Sequence, residues 1–387
     1  MPHQNTVFRQ IVSHLPFNEL DQLIAEHRAD KGVRRLDTKT LVLVLLFAQL
    51  SGAKSLRDIE DLLQSQSARR YHAGLRAVHR STLADAAAHR PVEVFTGLLG
   101  SLIGRFERKL RQQVRDCVRL IDSTSMSLSS LSGDWAQFSA GVCGVKAHIV
   151  YDPEALRPVY LAITPSRTND ITAAQAMPIE PGATYVFDLG YYDYAWWARL
   201  DEACCRIVTR LKANTPLRLF EERELPPGEA HILSDRIGFL PVRQARSRRN
   251  PMGAAVREVR VETETGKVLR ILTNDLDAPA AEIAALYKRR WAIELFFRWV
   301  KQTLKIKHFY GASENAVRLQ IAVALIAFLL LKLAHHGQNA AASMTQFTRL
   351  VQANVLDRMP LARLLDPTAR PAPPPVQCRR QTALLLA

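Results

Sequence analysis

Three acidic residues and one four-residue spacing carry the chemistry open to this chain. Asp122 closes an apolar-rich run, Val118 to Ile121, and Asp188 closes another, Thr184 to Phe187. Glu294 lies in the stretch 286–301, which reads as one helix because it holds no Pro or Gly. Its apolar residues Leu286, Ile293, Phe297, Val300 and Leu304 recur at three-, four- and seven-residue steps. At about 100° per residue, Tyr287, Arg290, Glu294 and Lys301 share one ridge beside that stripe. Carboxylates at strand ends face the open edge of a sheet. If the three converge, they could hold two divalent cations about 3.5–4 Å apart, one activating a nucleophilic oxygen and the other stabilising a leaving oxygen. Hard oxygen ligands favour Mg²⁺ or Mn²⁺. Taken singly, each feature has an ordinary reading: a strand-end Asp serves in turns, and a charged ridge is a solvated helix face.

Other groups near the acids offer less. Ser123, Ser125 and Tyr192 carry hydroxyls, but no His or Lys at a telling spacing activates them as nucleophiles. Lys146 and His148 stand on the next strand and could face the site, or His148 could be structural.

The elements that must position these residues follow from periodicity. Residues 5 to about 112 read as helical, with an interruption at Pro16, a buried helix over Leu41–Leu50 entered through Asp37 and Thr38, and another starting at Ser55. Arg69, Arg70, His72, Arg76, His79 and Arg80 lead to Ser81 and Thr82 at a helix start, a run suited to phosphate contacts or to a charged connecting face. Strands are expected over 118–121, 145–151, 159–164, 184–187 and 206–209, with a helix over 194–202, which makes a mixed α/β sheet. Five prolines mark turns in 212–276, and a hairpin is expected around Glu264-Thr265-Gly266. This stretch carries Arg243, Arg246, Arg248 and Arg249, a loop cluster suited to a nucleic-acid backbone. A strongly apolar helix spans 319–333, an amphipathic one 347–365, and the tail is rich in proline.

Composition narrows the partner. The 387 residues carry 52 Lys and Arg against 37 Asp and Glu, a net charge of +15, which points to a polyanion, with nucleic acid ahead of an anionic membrane. The longest apolar run, Ile321 to Leu331, is 11 residues, short of the roughly 18 that span a bilayer. The N-terminus lacks the pattern of a secretory signal. The five cysteines have neither paired nor zinc-like spacing and read as reduced thiols, so a cytoplasmic setting is expected.

The spacing Tyr287-(2)-Arg290-(3)-Glu294-(6)-Lys301 resembles the Y-(2)-R-(3)-E-(6)-K signature of the bacterial insertion-sequence transposases of family four, a branch of the DDE transposases. Ile121-Asp122-Ser123-Thr124 is similar to that family's first acidic motif, and Phe187-Asp188-Leu189-Gly190-Tyr191 to its second. Arg80-Ser81-Thr82-Leu83-Ala84-Asp85 and the helical N-terminus extend the resemblance over most of 5–335. It implies an α/β fold: an RNase H-like catalytic core with a β-rich insertion, flanked by helical N- and C-terminal regions.

On that reading the chain divides into a DNA-end-binding region (1–112), the first part of the core (113–211), the insertion (212–278), the last core helix (279–310), a C-terminal helical region suited to protomer pairing (311–365) and a Pro-rich tail (366–387). The resemblance assigns catalysis and metal binding, with two Mg²⁺ or Mn²⁺ ions, to Asp122, Asp188 and Glu294. It assigns contacts with transposon-end phosphates to Tyr287, Arg290 and Lys301. The implied activity is cut-and-paste transposition: cleavage at terminal inverted repeats, then attack of the freed 3′-OH on target DNA, carried out by a homodimer on double-stranded DNA with no membrane involved. Some relatives stack a flipped base on a Trp of the insertion. All five tryptophans here lie outside 212–276, which leaves Phe220 or Phe239 for that task. A metal-dependent nuclease without strand transfer, or a non-catalytic DNA-binding regulator, fits the same residues.

Overall fold

The computed structural model describes residues 5–110, 117–225, 228–243, 249–303, 309–338 and 342–365. Helices α1 (Val7–Val12), α2 (Phe17–Glu26), α3 (Thr38–Ser51), α4 (Leu56–Ser65), α5 (Ser67–Ala73), α6 (Arg80–His89) and α7 (Val92–Leu110) open the chain. Their starts follow local chemistry: the side chains of Thr6, Asp37 and Ser55 each accept a hydrogen bond from a first-turn N–H. α3 ends at Gly52, whose φ of 73° is left-handed and suits glycine.

The sheet then forms from β1 (Val118–Leu128), β2 (Gln137–Ser139), β3 (Val142–Asp152), β4 (Arg157–Pro165), β5 (Thr184–Val186) and β6 (Arg206–Arg210). The short α8 (Gly133–Ala136) lies between β1 and β2, and α9 (Asp170–Gln175) and α10 (Tyr194–Glu202) flank β5. β4, β3 and β1 are antiparallel, and β5 and β6 add in parallel on the other side of β1, the arrangement of an RNase H-like core.

The insertion does not stand apart. Its strands β7 (Arg218–Glu222), β8 (Ile232–Phe239), β9 (Val256–Glu262) and β10 (Val268–Thr273) continue the same sheet, with β10 antiparallel to β6. The expected hairpin is β9–β10, while β7 and β8 were not foreseen strand by strand. Inside the insertion Arg257 clasps Asp235 through two hydrogen bonds of 2.7 and 2.6 Å, with both side chains nearly sealed from solvent.

After the sheet come α11 (Ala280–Arg289), α12 (Trp291–Thr303), α13 (Glu314–His336), α14 (Met344–Ala353) and α15 (Leu361–Leu365). Two sequence expectations need correction here. The stretch 286–301 is two helices, because the chain turns at Arg290 between α11 and α12. The stretch 347–365 is also two, with Pro360 just ahead of α15. The Pro-rich tail, Cys378 and Leu304 lie outside the described residues.

Apolar burial divides by face. One core joins the N-terminal helices, one face of the sheet and α11 to α15; the other packs α9 and α10 on the opposite face, around Phe187, Tyr191, Trp196 and Trp197. α13 has the length and composition to cross a membrane, yet 83% of its apolar window is buried inside the protein. Its one lysine, Lys332, donates to the carbonyls of Ala155 and Leu156, and burial lowers its amine to about 7.

Replacing Asp235 by Ala would leave Arg257 buried without its carboxylate partner. Chemical denaturation should record a loss of about 3–5 kcal/mol; a loss below about 1 kcal/mol would show that the Arg257–Asp235 clasp does not hold the insertion together.

Candidate active site

The acids meet because of strand register. Leu120 of β1 pairs with Val186 of β5, the last residue of that strand. Asp122 and Asp188 each lie two residues beyond this couple, at the open end of a parallel pair. β1 itself does not stop at Asp122, as the sequence suggested; it runs on to Leu128 because β3 keeps pairing with its other edge. Pairing with a long neighbour overrides the turn preference of Ser123-Thr124-Ser125.

Glu294 arrives on α12, which is pinned by aromatic packing. Phe296 stacks on Tyr151 of β3 at 4.8 Å between centroids and on Phe328 of α13 at 5.1 Å; Trp299 also packs on Phe328. The expected stripe is buried at Leu286, Ile293, Phe297 and Val300.

Arg290 stands between the carboxylates, with one guanidinium nitrogen 2.5 Å from Glu294 Oε1 and another 3.6 Å from Asp122 Oδ2. Arg290 occupies the single residue between α11 and α12. The Ser123 N–H donates to Asp122 Oδ1 at 2.7 Å, and the Gly190 N–H to Asp188 Oδ1 at 2.8 Å. Burial pushes the Asp122 carboxyl up to about 6, and the charges of Asp188 and Glu294 push the same way. The Ser123 N–H and Arg290 oppose the rise.

The remaining ridge residues divide. Tyr287 is 8% exposed, and its ring centroid lies 5.8 Å from the guanidinium carbon of Arg290. Lys301 lies seven residues beyond Glu294 on the same helix, about 10 Å along the axis, and is partly exposed. Arg243 and Arg249 form an exposed β-bridge in the insertion, whereas Arg246 and Arg248 lie outside the described residues.

Sequence reasoning missed Asp170. It lies at the first turn of α9, where an acid looks like any helix-start residue, yet its Oδ1 receives Ser123 Oγ at 2.9 Å and Lys146 Nζ at 3.1 Å. Lys146 and His148 thus belong to this neighbourhood, with His148 Nε2 2.8 Å from Thr164 Oγ1.

Three oxygen-donor carboxylates suit a hard divalent ion. Among the described residues, no three His, Cys, Asp or Glu side chains are close enough to enclose one as they stand. The place between Asp122 and Glu294 nonetheless takes positive charge, since Arg290 supplies it. The donor chemistry therefore fits the ion, and the guanidinium marks where like charges need compensation.

The sheet thus carries two of these acids at the open end of its central parallel strands. Comparison with known proteins identifies the family. Residues 114–330, more than half of the chain, match the transposase DDE domain family, and residues 3–76 match a domain of unknown function (DUF4372). The transposase-named protein y4zB of Sinorhizobium fredii is 41% identical over 285 residues, 74% of this chain and 80% of its own length. A protein of Geobacillus stearothermophilus, named as a transposase for insertion sequence element IS5377, is 29% identical over 340 residues, 85% of each chain. A solved piggyBac transposase synaptic complex with hairpin DNA gives a TM-score of 0.44 at 13% identity, covering 94% of this chain and 82% of that one, too distant to bear on the fold.

The chain belongs to the DDE transposases, of the insertion-sequence family-four kind. It is a DNA transposase, an enzyme that cleaves DNA and transfers strands. Its partner is DNA, and the family depends in general on divalent metal.

The raised Asp122 carboxyl sets a sign. Its folded value lies above the unfolded 3.8, so the fold binds the proton more tightly. Stability associated with this group is present below about pH 4 and lost as pH rises through about 6. With metal chelated, Asp122→Asn should be more stable than the unsubstituted chain at pH 8, by up to about 3 kcal/mol. That margin should vanish in denaturation experiments below about pH 4; a less stable variant at pH 8 would contradict the crowding of like charges.

Proposed function

We propose that Asp122, Asp188 and Glu294 are the metal-binding and catalytic carboxylates of a cut-and-paste transposase. What supports this reading is that β1 and α12 bring Asp122 and Glu294 to one guanidinium, while the turn after β5 brings Asp188 close enough for its charge to act on Asp122. When bound, two Mg²⁺ or Mn²⁺ ions would activate the attacking oxygen and stabilise the leaving one. The chain's own part is to hold the acids and the DNA end in register. Arg290 exchanges its carboxylate partners for an end phosphate, because a planar guanidinium pairs equally well with either. Tyr287 holds that guanidinium from below, and Lys301 grips the backbone further along α12. The freed 3′-OH then attacks target DNA directly, and no protein hydroxyl takes part.

The N-terminal helical region grips the terminal inverted repeats in this reading. It offers an open groove of about 540 Å³ lined by Lys31, Arg34, Arg35, Arg90, Ser81 and Thr82, with the acid Asp85 on its wall. Both hydroxyls lie in the first turn of α6, which His79 caps by accepting the Ser81 N–H. Arg249 and Arg243 extend the basic surface on the insertion, and by sequence Arg246 and Arg248 remain candidates for the same backbone contacts. Phe220, 71% exposed, packs edge-on against Phe239 at 6.2 Å and offers a face for an unstacked base in hairpin formation. Two protomers pair on DNA through the C-terminal helices, in the cytoplasm.

Incubating the purified chain with Mg²⁺, a donor carrying its own inverted repeats and a target plasmid should yield joined products; cleavage without joining would refute the cut-and-paste reading. Glu294→Gln should abolish cutting, by at least about a thousandfold given the role of metal and charge in such chemistry, and retain end binding. Normal cutting by that variant would sink the assignment of the acids.

Charge reversal at Arg34 and Arg35 tests the groove. Losing two phosphate contacts should weaken end binding and flatten the dependence of log affinity on log salt by about 2. An unchanged salt slope would place the DNA elsewhere.

A further inference from the structure

Asp170 is one residue away from each of two proposed metal-binding acids, through two different elements. Its Oδ1 accepts the Ser123 hydroxyl at 2.9 Å, while the Ser123 N–H donates to Asp122 Oδ1 at 2.7 Å. Its Oδ2 lies 3.2 Å from the point a Cβ on Gly190 would occupy, and Asp188 Oδ1 lies 3.0 Å from that same point. The Gly190 N–H in turn donates to Asp188 at 2.8 Å. Glycine at 190 is therefore what lets the two carboxylates approach from either side.

A third negative group beside two acids would ordinarily be repelled, and here it is compensated. Lys146 Nζ lies 3.1 Å from Asp170 Oδ1 and donates also to the Thr168 carbonyl at 3.0 Å, with both side chains at least three-quarters buried. His148, its side chain 5% exposed, turns an Nδ1 without a hydrogen-bond partner towards Asp170 at 3.7 Å. Tyr191, also buried, lies within electrostatic reach of Asp122, Asp170 and Asp188. Strand pairing supports the same geometry: Ser123 faces His148 and Ser125 faces Lys146 across β1 and β3.

We propose that Asp170, held by Lys146, is a positioning residue that ties the Asp122 strand to the Asp188 turn and so sets the separation of two metal-binding carboxylates. Asp170 touches neither DNA nor ion in this arrangement. It acts through Ser123 on one side and Gly190 on the other, as outer groups commonly orient metal ligands. The proposal rests on the carboxylate site proposed above.

Mn²⁺ binding to the full-length chain, followed by calorimetry without DNA, separates the possibilities. Asp170→Asn, Ser123→Ala and Gly190→Ala change three different elements, and each should weaken Mn²⁺ affinity by about 10- to 100-fold, the usual effect of losing an orienting group. Binding of inverted-repeat DNA in chelator should stay unchanged. If Asp170→Asn fails to fold, Ser123→Ala, which removes one hydroxyl, decides. A folded variant with unaltered Mn²⁺ affinity overturns the proposal, whatever its melting temperature. Asp122→Asn is the control: if it too leaves Mn²⁺ binding unaltered, the carboxylate site itself is misassigned. If it alone abolishes binding, only the role of Asp170 falls.

Discussion

The charges of Asp188 and Glu294 both act against the Asp122 carboxylate, and the architecture around Asp122 holds them within reach of it in spite of that repulsion. Two parallel strands in register bring the aspartates side by side, and a helix locked by Phe296 and Trp299 brings the glutamate. Arg290 supplies the positive charge in the structure described here. A group held above its ordinary value by burial and by like charges is under tension, and such tension is usual where a site is built to take a ligand.

The scaffold is rigid where this tension must be resisted. α13 is buried almost throughout and receives α12 on one side and the N-terminal helices on another. The short stretch before it is a junction of three regions. Ser132 and Trp135, between β1 and β2, both donate to the Ala312 carbonyl, while Asn315 donates to the carbonyls of Ala87 and Arg90 at the end of α6. Arg90 also lines the basic groove. The groove, the start of α13 and the segment between β1 and β2 are thus joined through a few hydrogen bonds near residues 312–315.

Much of this was legible before any coordinates. The helix starts at Asp37 and Ser55, the α10 span, the β9–β10 hairpin and the buried stripe of α12 follow from caps, turns and periodicity, all local in sequence. The misreadings share one cause. Ser123-Thr124-Ser125 looks like a turn and becomes strand because β3 extends past β5. The run 286–301 has no breaker, yet it turns at Arg290, where the guanidinium meets Asp122 and Glu294. β7 is exposed at every residue and carries no alternating pattern to be read. Asp170 resembles a helix-start acid until Ser123, Lys146 and Gly190 are seen around it.

By itself the sequence determined the kind of chemistry: three acids, a Tyr-Arg-Glu-Lys spacing on a helical stretch and an excess of positive charge, because residue type and spacing along one helix are properties of a short segment. Only the tertiary structure decided which groups meet. The pairing of Leu120 with Val186, the place of Arg290 between two acids and the approach of Asp170 to Gly190 join positions as many as 168 residues apart in sequence. Contacts over such separations depend on strand register and on packing of the whole core, and no local pattern specifies them.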